Sequence, residues 1–166
     1  VLDHYTIPTL DEVLDLIDGR ILLNIELKGT QTALLTNQLL QSYFKETKWS
    51  PDKIIISSFN WEELEIFYQA NSNIPIAILT EDDPLDAIAI GKKLNAIAIN
   101  PDYKSLDKNN IEKIKNAGFK LYPWTVNIHE NILNLIDLGV DGIITDYPER
   151  VLNPVSYTHL TLPTIL

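Results

Sequence analysis

Short apolar segments alternate with longer amphipathic segments along most of the chain. Each apolar segment has the length and the β-branched content of a buried strand, and each ends in polar residues. Their starts lie 20 to 33 residues apart, a spacing typical of repeated strand–helix units, which predicts an α/β fold with a parallel sheet. The predicted strands are Ile21–Leu27, Ile54–Ser58, Ile76–Leu79, Ala96–Ile99, Lys120–Val126 and Gly142–Thr145.

Helix start and stop signals occupy the intervals between these strands. Thr9 and Glu12 have the spacing of a capping box, and Gly19 follows the helix that they begin. Asn60 is a predicted N-cap, and Asp83 before Pro84 predicts another helix start. Apolar periodicity predicts the remaining helices over residues 32–44, around Ile111 and Ile114, and over residues 128–138.

The order of these units favours a closed barrel over an open sheet. No glycine-rich dinucleotide loop follows any predicted strand, which argues against a doubly wound sheet. We therefore predict a parallel (β/α)8 TIM-type barrel with about six of its units in this chain. A full barrel takes about 250 residues, and the chain opens at Val1 without an initiator methionine. We expect about two further units upstream.

The last twelve residues break this pattern. The segment 155–166 has no acidic or basic residue besides His159, no helical period and no glycine. It resembles translated adapter sequence, with a genuine extension as the alternative. We place the domain at residues 1–154 and treat the tail as outside it.

Composition and charge narrow the possible partners. The net charge of −10, from 23 acidic and 13 basic residues, disfavours binding to nucleic acid or to an anionic membrane surface. The absence of cysteine excludes disulfides and thiolate metal sites. No apolar run reaches the ~18 residues of a membrane span. We expect a cytoplasmic protein, with an upstream export signal as the alternative.

The strand that ends at Leu27 carries the first candidate chemistry. Side chains alternate along a strand, so Asn24, Glu26 and Lys28 share the face opposite Ile25 and Leu27. In a barrel these polar groups would point inward, where an unpaired charge is costly to bury. An internal Glu26–Lys28 ion pair is one interpretation. The other is a metal-binding carboxylate beside a phosphate-binding lysine, at the end of the barrel where active sites lie.

Six segments occur in a distinctive order and spacing along the chain: Ile7–Leu14, Asn24–Lys28, Ile56–Asn60, Asn100–Pro101, Trp124–Asn127 and Gly139–Pro148. Together they resemble the glycerophosphodiester phosphodiesterases. The resemblance extends to about Pro154 and implies a barrel of the PLC-like phosphodiesterase kind. It also implies metal-dependent hydrolysis of glycerophosphodiesters to sn-glycerol 3-phosphate and an alcohol, within lipid and glycerol metabolism.

The resemblance assigns roles to particular residues. Glu26 matches a metal-ligand glutamate, and Lys28 matches a lysine near the substrate phosphate; the implied metal is Ca²⁺ or Mg²⁺. Trp124 matches the tryptophan at the glycerol end of the pocket, and Phe59 matches an aromatic residue at the same mouth. Core packing is the alternative for both aromatic residues. Asn127 is assigned either to substrate binding or to the cap of the following helix.

The family's catalytic histidines and its other acidic metal ligands would precede this segment. His4, His129 and His159 do not fall at strand ends, so none is assigned a catalytic role. We expect the segment alone to be inactive and poorly soluble or molten. Two other functions stay open: a non-catalytic barrel binding domain, and a phosphate-binding barrel isomerase or lyase. The bulky segments around Trp124 and Tyr147 disfavour the latter because they lack glycine.

Overall fold

Five parallel strands lie side by side in the order in which they occur along the chain. The computed structural model describes residues 6–155. Each strand pairs in parallel with the next one, from Leu23↔Ile54 at one edge to Ile99↔Leu121 at the other. The strands are β1 (Leu23–Glu26), β2 (Ile54–Ser58), β3 (Ile76–Thr80), β4 (Ala98–Pro101) and β5 (Lys120–Leu121).

Helices connect the strands and follow the last of them. Two 3₁₀ turns, Pro51–Lys53 and Tyr103–Ser105, lie before β2 and after β4. The α-helices are α1 (Leu10–Ile17), α2 (Thr32–Glu46), α3 (Trp61–Ala70), α4 (Ala87–Lys93), α5 (Lys108–Asn116), α6 (His129–Asp137) and α7 (Pro148–Val155).

The consecutive strand order identifies the architecture as part of a β/α barrel. In a doubly wound sheet the order reverses at a switch point, and helices cover both faces. Here every crossover advances the chain in the same direction, and right-handed crossovers then place the helices on one side of the sheet. The predicted barrel class is therefore confirmed, with the ring of strands incomplete over the described residues.

The predicted strands after β4 need correction. The fifth ends at Leu121 rather than at Val126, and residues 142–145 contain no assigned strand. This segment still lies beside the extension of β5, because Ile144 N donates to Pro123 O and Val126 N donates to Ile144 O, both at 2.9 Å. Pro123 has no N–H to donate, which interrupts the regular ladder at this point.

The capping signals predict helix starts with one exception. Glu12 accepts a hydrogen bond from Thr9 N at 2.8 Å before α1, and Asn60 accepts two backbone hydrogen bonds at the start of α3. The predicted start at Asp83 is wrong: α4 begins at Ala87. The Asp83 side chain instead accepts from Leu85 N at 2.9 Å, which forms a turn before the helix.

The hydrophobic core lies between the outer face of the sheet and the helices. Leu27 belongs to it, and Leu23 and Ile25 pack against it, as the alternation in β1 predicts. A much smaller cluster lies on the opposite, inner face of the sheet and consists of Ile55, Ala77, Ala98 and Tyr122. The two faces of each strand therefore have different environments. Among the helices of residues 6–155, none combines the length and apolar character that a bilayer crossing requires.

Candidate active site

A concave pocket of about 290 Å³ lies at the carboxyl ends of the strands, on the inner face of the sheet. Asn24, Glu26 and Lys28 all contribute to it, so the predicted orientation of the polar face of β1 is confirmed. In a parallel barrel this end is the one that carries active sites. The remaining lining residues are Phe59, Leu79, Glu81, Trp124, Thr125 and Ile144.

Glu26 and Lys28, which both line this pocket, form an ion pair. The Lys28 Nζ lies 3.5 Å from Glu26 Oε2, and the side chains are 78% and 29% exposed, respectively. Lys28 is thus far more exposed than a barrel interior predicts, because it follows the last residue of β1 and lies at the rim. A solvent-exposed ion pair contributes little to the free energy of folding. Stabilisation of the fold therefore does not explain why these two charges lie together here.

Two aromatic residues also line this pocket. The rings of Phe59 and Trp124 contact edge to face, with centroids 5.2 Å apart and an interplanar angle of 88°. Trp124 Nε1 donates to Asn100 O at 2.8 Å, which fixes the indole orientation. Phe59 is 41% exposed, so it lies at the rim rather than in the core. The pocket therefore combines an apolar wall with a charged one, a common composition for a small-molecule site.

Three polar side-chain oxygens on the inner face have no hydrogen-bond partner among the described residues. They are Asn24 Oδ1, Ser57 Oγ and Asn100 Oδ1. Ser57 pairs in register with Glu26, and Asn100 pairs with Leu79, so both belong to the strand positions that face the pocket side. Buried oxygens without a partner are rare in folded proteins and point to a functional surface. Alternation in the sequence placed Asn24 on the same face as Glu26 and Lys28, but it did not single out Ser57 or Asn100 among the polar residues at the strand ends.

Asn127 has a different environment from the other predicted site residues. Its side chain donates to Asp146 Oδ2 at 2.7 Å and accepts from Thr145 Oγ1 at 3.1 Å and from Asp146 N at 3.0 Å. The N-cap position of α6 is Ile128, without a side-chain cap, so the capping interpretation of Asn127 is wrong. Asn127 instead joins two loops at the mouth of the barrel, and its contact with substrate stays a prediction.

The described residues offer oxygen ligands to a hard cation but no complete metal site. Glu26 supplies a half-buried carboxylate and Asn24 an unpaired amide oxygen on the same face of β1, and both are ligand types that Ca²⁺ and Mg²⁺ take. Residues 6–155 contain no group of three or more His, Cys, Asp or Glu arranged to hold a metal ion. His129 begins α6 on the surface, and His4 and His159 lie outside the described residues.

Tyr122 closes the inner face below the pocket. Burial raises the pKa of its hydroxyl, and the nearby Asp141 carboxylate adds to this effect. Tyr122 packs there with Ile55, Ala77 and Ala98.

Comparisons with known proteins agree with this architecture. The model of the glycerophosphoryl diester phosphodiesterase family matches residues 2–150. A glycerophosphodiester phosphodiesterase of Bacillus subtilis is 33% identical over 86% of the chain, and one of Caldanaerobacter subterraneus is 35% identical over 90%. The solved structure of an Oleispira antarctica phosphodiesterase, in complex with the product sn-glycerol-3-phosphate, is 26% identical and superimposes with a TM-score of 0.79 over 91% of the chain.

The parallel strands, the helices on one face and the polar pocket at the carboxyl ends of the strands define a β/α-barrel protein with a candidate active site. The chain belongs to the glycerophosphoryl diester phosphodiesterase family. It spans 52% of the length of the Bacillus subtilis relative, and 62% of both the Caldanaerobacter relative and the Oleispira structure.

Proposed function

We propose that the protein takes part in the metal-dependent hydrolysis of glycerophosphodiesters to sn-glycerol 3-phosphate and an alcohol. The observation that carries this proposal is the meeting of Glu26 and Lys28, 3.5 Å apart, in one pocket with Trp124 and Phe59. The names of the curated relatives support the reaction class. The product bound to the Oleispira protein supports the substrate class.

Each wall of the pocket suits one part of such a substrate. The Lys28 ammonium balances phosphate charge in a protein whose net charge is −10. The Trp124 and Phe59 rings pack against the carbon skeleton of the glycerol, as aromatic residues commonly do in sugar- and polyol-sized sites. An exposed lysine loses little solvation when an anion arrives, because it is already near the surface.

The implied cation, Ca²⁺ or Mg²⁺, would be held in part by Glu26. Such an ion withdraws charge from phosphate oxygens and lowers the pKa of bound water. Within the described residues, the pocket contributes binding and orientation: Glu26 directs a carboxylate to the phosphate end, and Lys28 holds the anion. In the overall reaction water adds to phosphorus, the bond between phosphorus and the alcohol oxygen breaks, and the alcohol leaves with a proton.

The decisive experiment replaces the candidate metal ligand. The chain, expressed together with any coding sequence that adjoins it, is assayed for glycerophosphocholine hydrolysis with Ca²⁺ or Mg²⁺. We expect Glu26→Gln to lower the rate about 100-fold or more and to abolish the response to metal, because an anionic ligand becomes neutral. Glu62→Gln is the matched control, since Glu62 is an exposed glutamate away from the pocket.

Unchanged rates and metal dependence in Glu26→Gln would refute the assignment of Glu26. A protein that binds sn-glycerol 3-phosphate but hydrolyses no glycerophosphodiester with either metal would instead support a non-catalytic binding domain.

A further inference from the structure

The loop between β1 and α2 is attached at both ends to the neighbouring β2–α3 unit. At its start, Leu27 N donates to Ser57 O at 2.8 Å and Ser58 Oγ donates to Leu27 O at 2.5 Å. At its end, the carboxylate of Glu63 accepts from Gln31 N at 2.5 Å and from Ala33 N at 2.9 Å. Lys28 lies between these two attachments, so few backbone torsions separate it from either one.

Glu63 is a buried carboxylate without a cationic partner among the described residues. It lies on α3 with 4% exposure, and each of its two oxygens accepts a different backbone N–H, one from the N-cap residue of α2 and one from its first turn. The Thr32 hydroxyl also approaches at 3.5 Å. Burying a carboxylate is costly unless hydrogen bonds and favourable dipoles compensate. The amide groups and the positive end of a fifteen-residue helix provide that compensation here.

This arrangement replaces an ordinary helix cap. The N-cap residue of α2 is Gln31, which has a left-handed backbone (φ 64°) and makes no side-chain cap. A Ser, Thr or Asp side chain at the N-cap position could accept from Ala33 N locally, but not from the N–H of residue 31 itself. A local cap, however, would leave the loop independent of its neighbour. A cap supplied from α3 links the conformation of the Lys28 loop to the β2–α3 unit, which also carries Phe59.

We propose that Glu63 is a positioning residue that acts through the β1–α2 loop to hold the Lys28 ammonium beside Glu26. The inference rests on the proposed function for the role of Lys28 in anion binding. The two hydrogen bonds from Gln31 N and Ala33 N to Glu63, which we call the Glu63 clamp, do not depend on any substrate. The chemical basis of the Glu63 clamp is the fit of two carboxylate oxygens to two backbone N–H groups, which an amide side chain cannot reproduce because it offers one acceptor only.

The test combines hydrogen exchange with a double-mutant cycle. Glu63→Gln should accelerate amide exchange over residues 28–33 about tenfold, because a charge-assisted hydrogen bond is lost. Glu62→Gln, on the same turn of α3, should leave that exchange unchanged, and β3 amides should be unaffected in both variants. Where Glu63→Gln fails to fold, Glu63→Asp, which keeps the charge but shortens the side chain by one methylene group, should accelerate exchange over the same residues, and unchanged exchange there would equally overturn the positioning role.

The functional arm measures the Kd of sn-glycerol 3-phosphate with Mg²⁺ present. Lys28→Met and Glu63→Gln should each weaken binding, and the double variant should bind no more weakly than Lys28→Met alone, because Glu63 acts through Lys28. Additive losses would overturn the positioning role, as would unchanged exchange over residues 28–33. Absence of binding by the unmodified protein would count against the proposed function. Amide exchange over residues 28–33 in Glu63→Gln would then still decide whether the Glu63 clamp holds the loop.

Discussion

The side chains on the two faces of the sheet differ in how completely they find packing and hydrogen-bond partners within this chain. The outer face packs into a large cluster in which strand residues such as Ile56 and Ile78 meet helix residues such as Leu64 and Phe67. The inner face has a small apolar cluster at its base and, above it, side-chain oxygens with no partner within residues 6–155. The same strands contribute to both faces, because successive side chains along a strand point alternately to one face and to the other.

This difference separates folding from function. The outer face buries apolar surface and contributes the hydrophobic stabilisation that favours the folded state. The inner face places charged and amide groups where burial is unfavourable, and such groups persist in proteins mainly where a ligand uses them. Substitutions on the two faces should therefore affect different measurements, namely the free energy of unfolding and ligand affinity.

The largest expected effect belongs to the outer face. Phe67 on α3 is fully buried in the main cluster, so Phe67→Ala removes most of an aromatic side chain and leaves a cavity. We expect a loss of about 3–5 kcal/mol in the free energy of unfolding, measured by urea denaturation. The exposed Leu35 on α2 provides a control, because Leu35→Ala should change stability by less than about 0.5 kcal/mol. Equal losses in the two variants would show that burial in the main cluster is not the source of the stability attributed to the outer face.

A smaller effect is expected where two elements of the outer layer approach closely. A methyl group at Gly91 on α4 would lie 2.8 Å from Phe119 Cζ and 2.9 Å from Cε1. Gly91→Ala should therefore destabilise the protein by about 1–3 kcal/mol through overpacking, despite the better helix propensity of alanine. Adding Phe119→Leu should recover part of the loss, since the two sites are coupled. A stabilising Gly91→Ala would show that the ring moves aside freely.

Periodicity predicted the elements that pack on the outer face. The alternation of Leu23, Ile25 and Leu27 and the caps at Thr9 and Asn60 encode local structure, and the structure confirms each of them. The errors have local causes that propensity does not reveal. Pro123 interrupts the last ladder, and α7, which begins at Pro148 and contains a second proline at position 154, was not predicted because proline disfavours a helix.

Alternation alone predicted the candidate site only where one strand carries it; Phe59 and Trp124, which line the same pocket, were predicted from the family resemblance. Glu26 and Lys28 are two residues apart, so alternation places them together. The contact of Glu63 with Gln31 joins residues 32 apart in the sequence, and nothing in the local pattern of α3 distinguishes Glu63 from Glu62. The exposure of Lys28 was also not predicted, since it depends on where β1 ends relative to β2.

The finest test of the comparison uses two adjacent serines in β2. Ser57 and Ser58 are both fully buried, but they point to opposite faces. Ser58 Oγ donates to Leu27 O at 2.5 Å and accepts from Asn60 N at 2.9 Å. Ser57 Oγ has no partner within the described part of the chain. The same substitution by alanine therefore removes two hydrogen bonds in one case and none in the other.

We expect Ser58→Ala to cost about 1–2 kcal/mol in the free energy of unfolding, because Leu27 O and Asn60 N lose a partner in a buried environment. Ser57→Ala should be neutral or stabilising by up to about 1 kcal/mol, because it removes an unpaired hydroxyl with little change in shape. Urea denaturation of both variants, without ligand, measures the difference. A loss in Ser57→Ala as large as that in Ser58→Ala would mean that the inner hydroxyl contributes to folding, and the contrast between the two faces would then not hold at this strand.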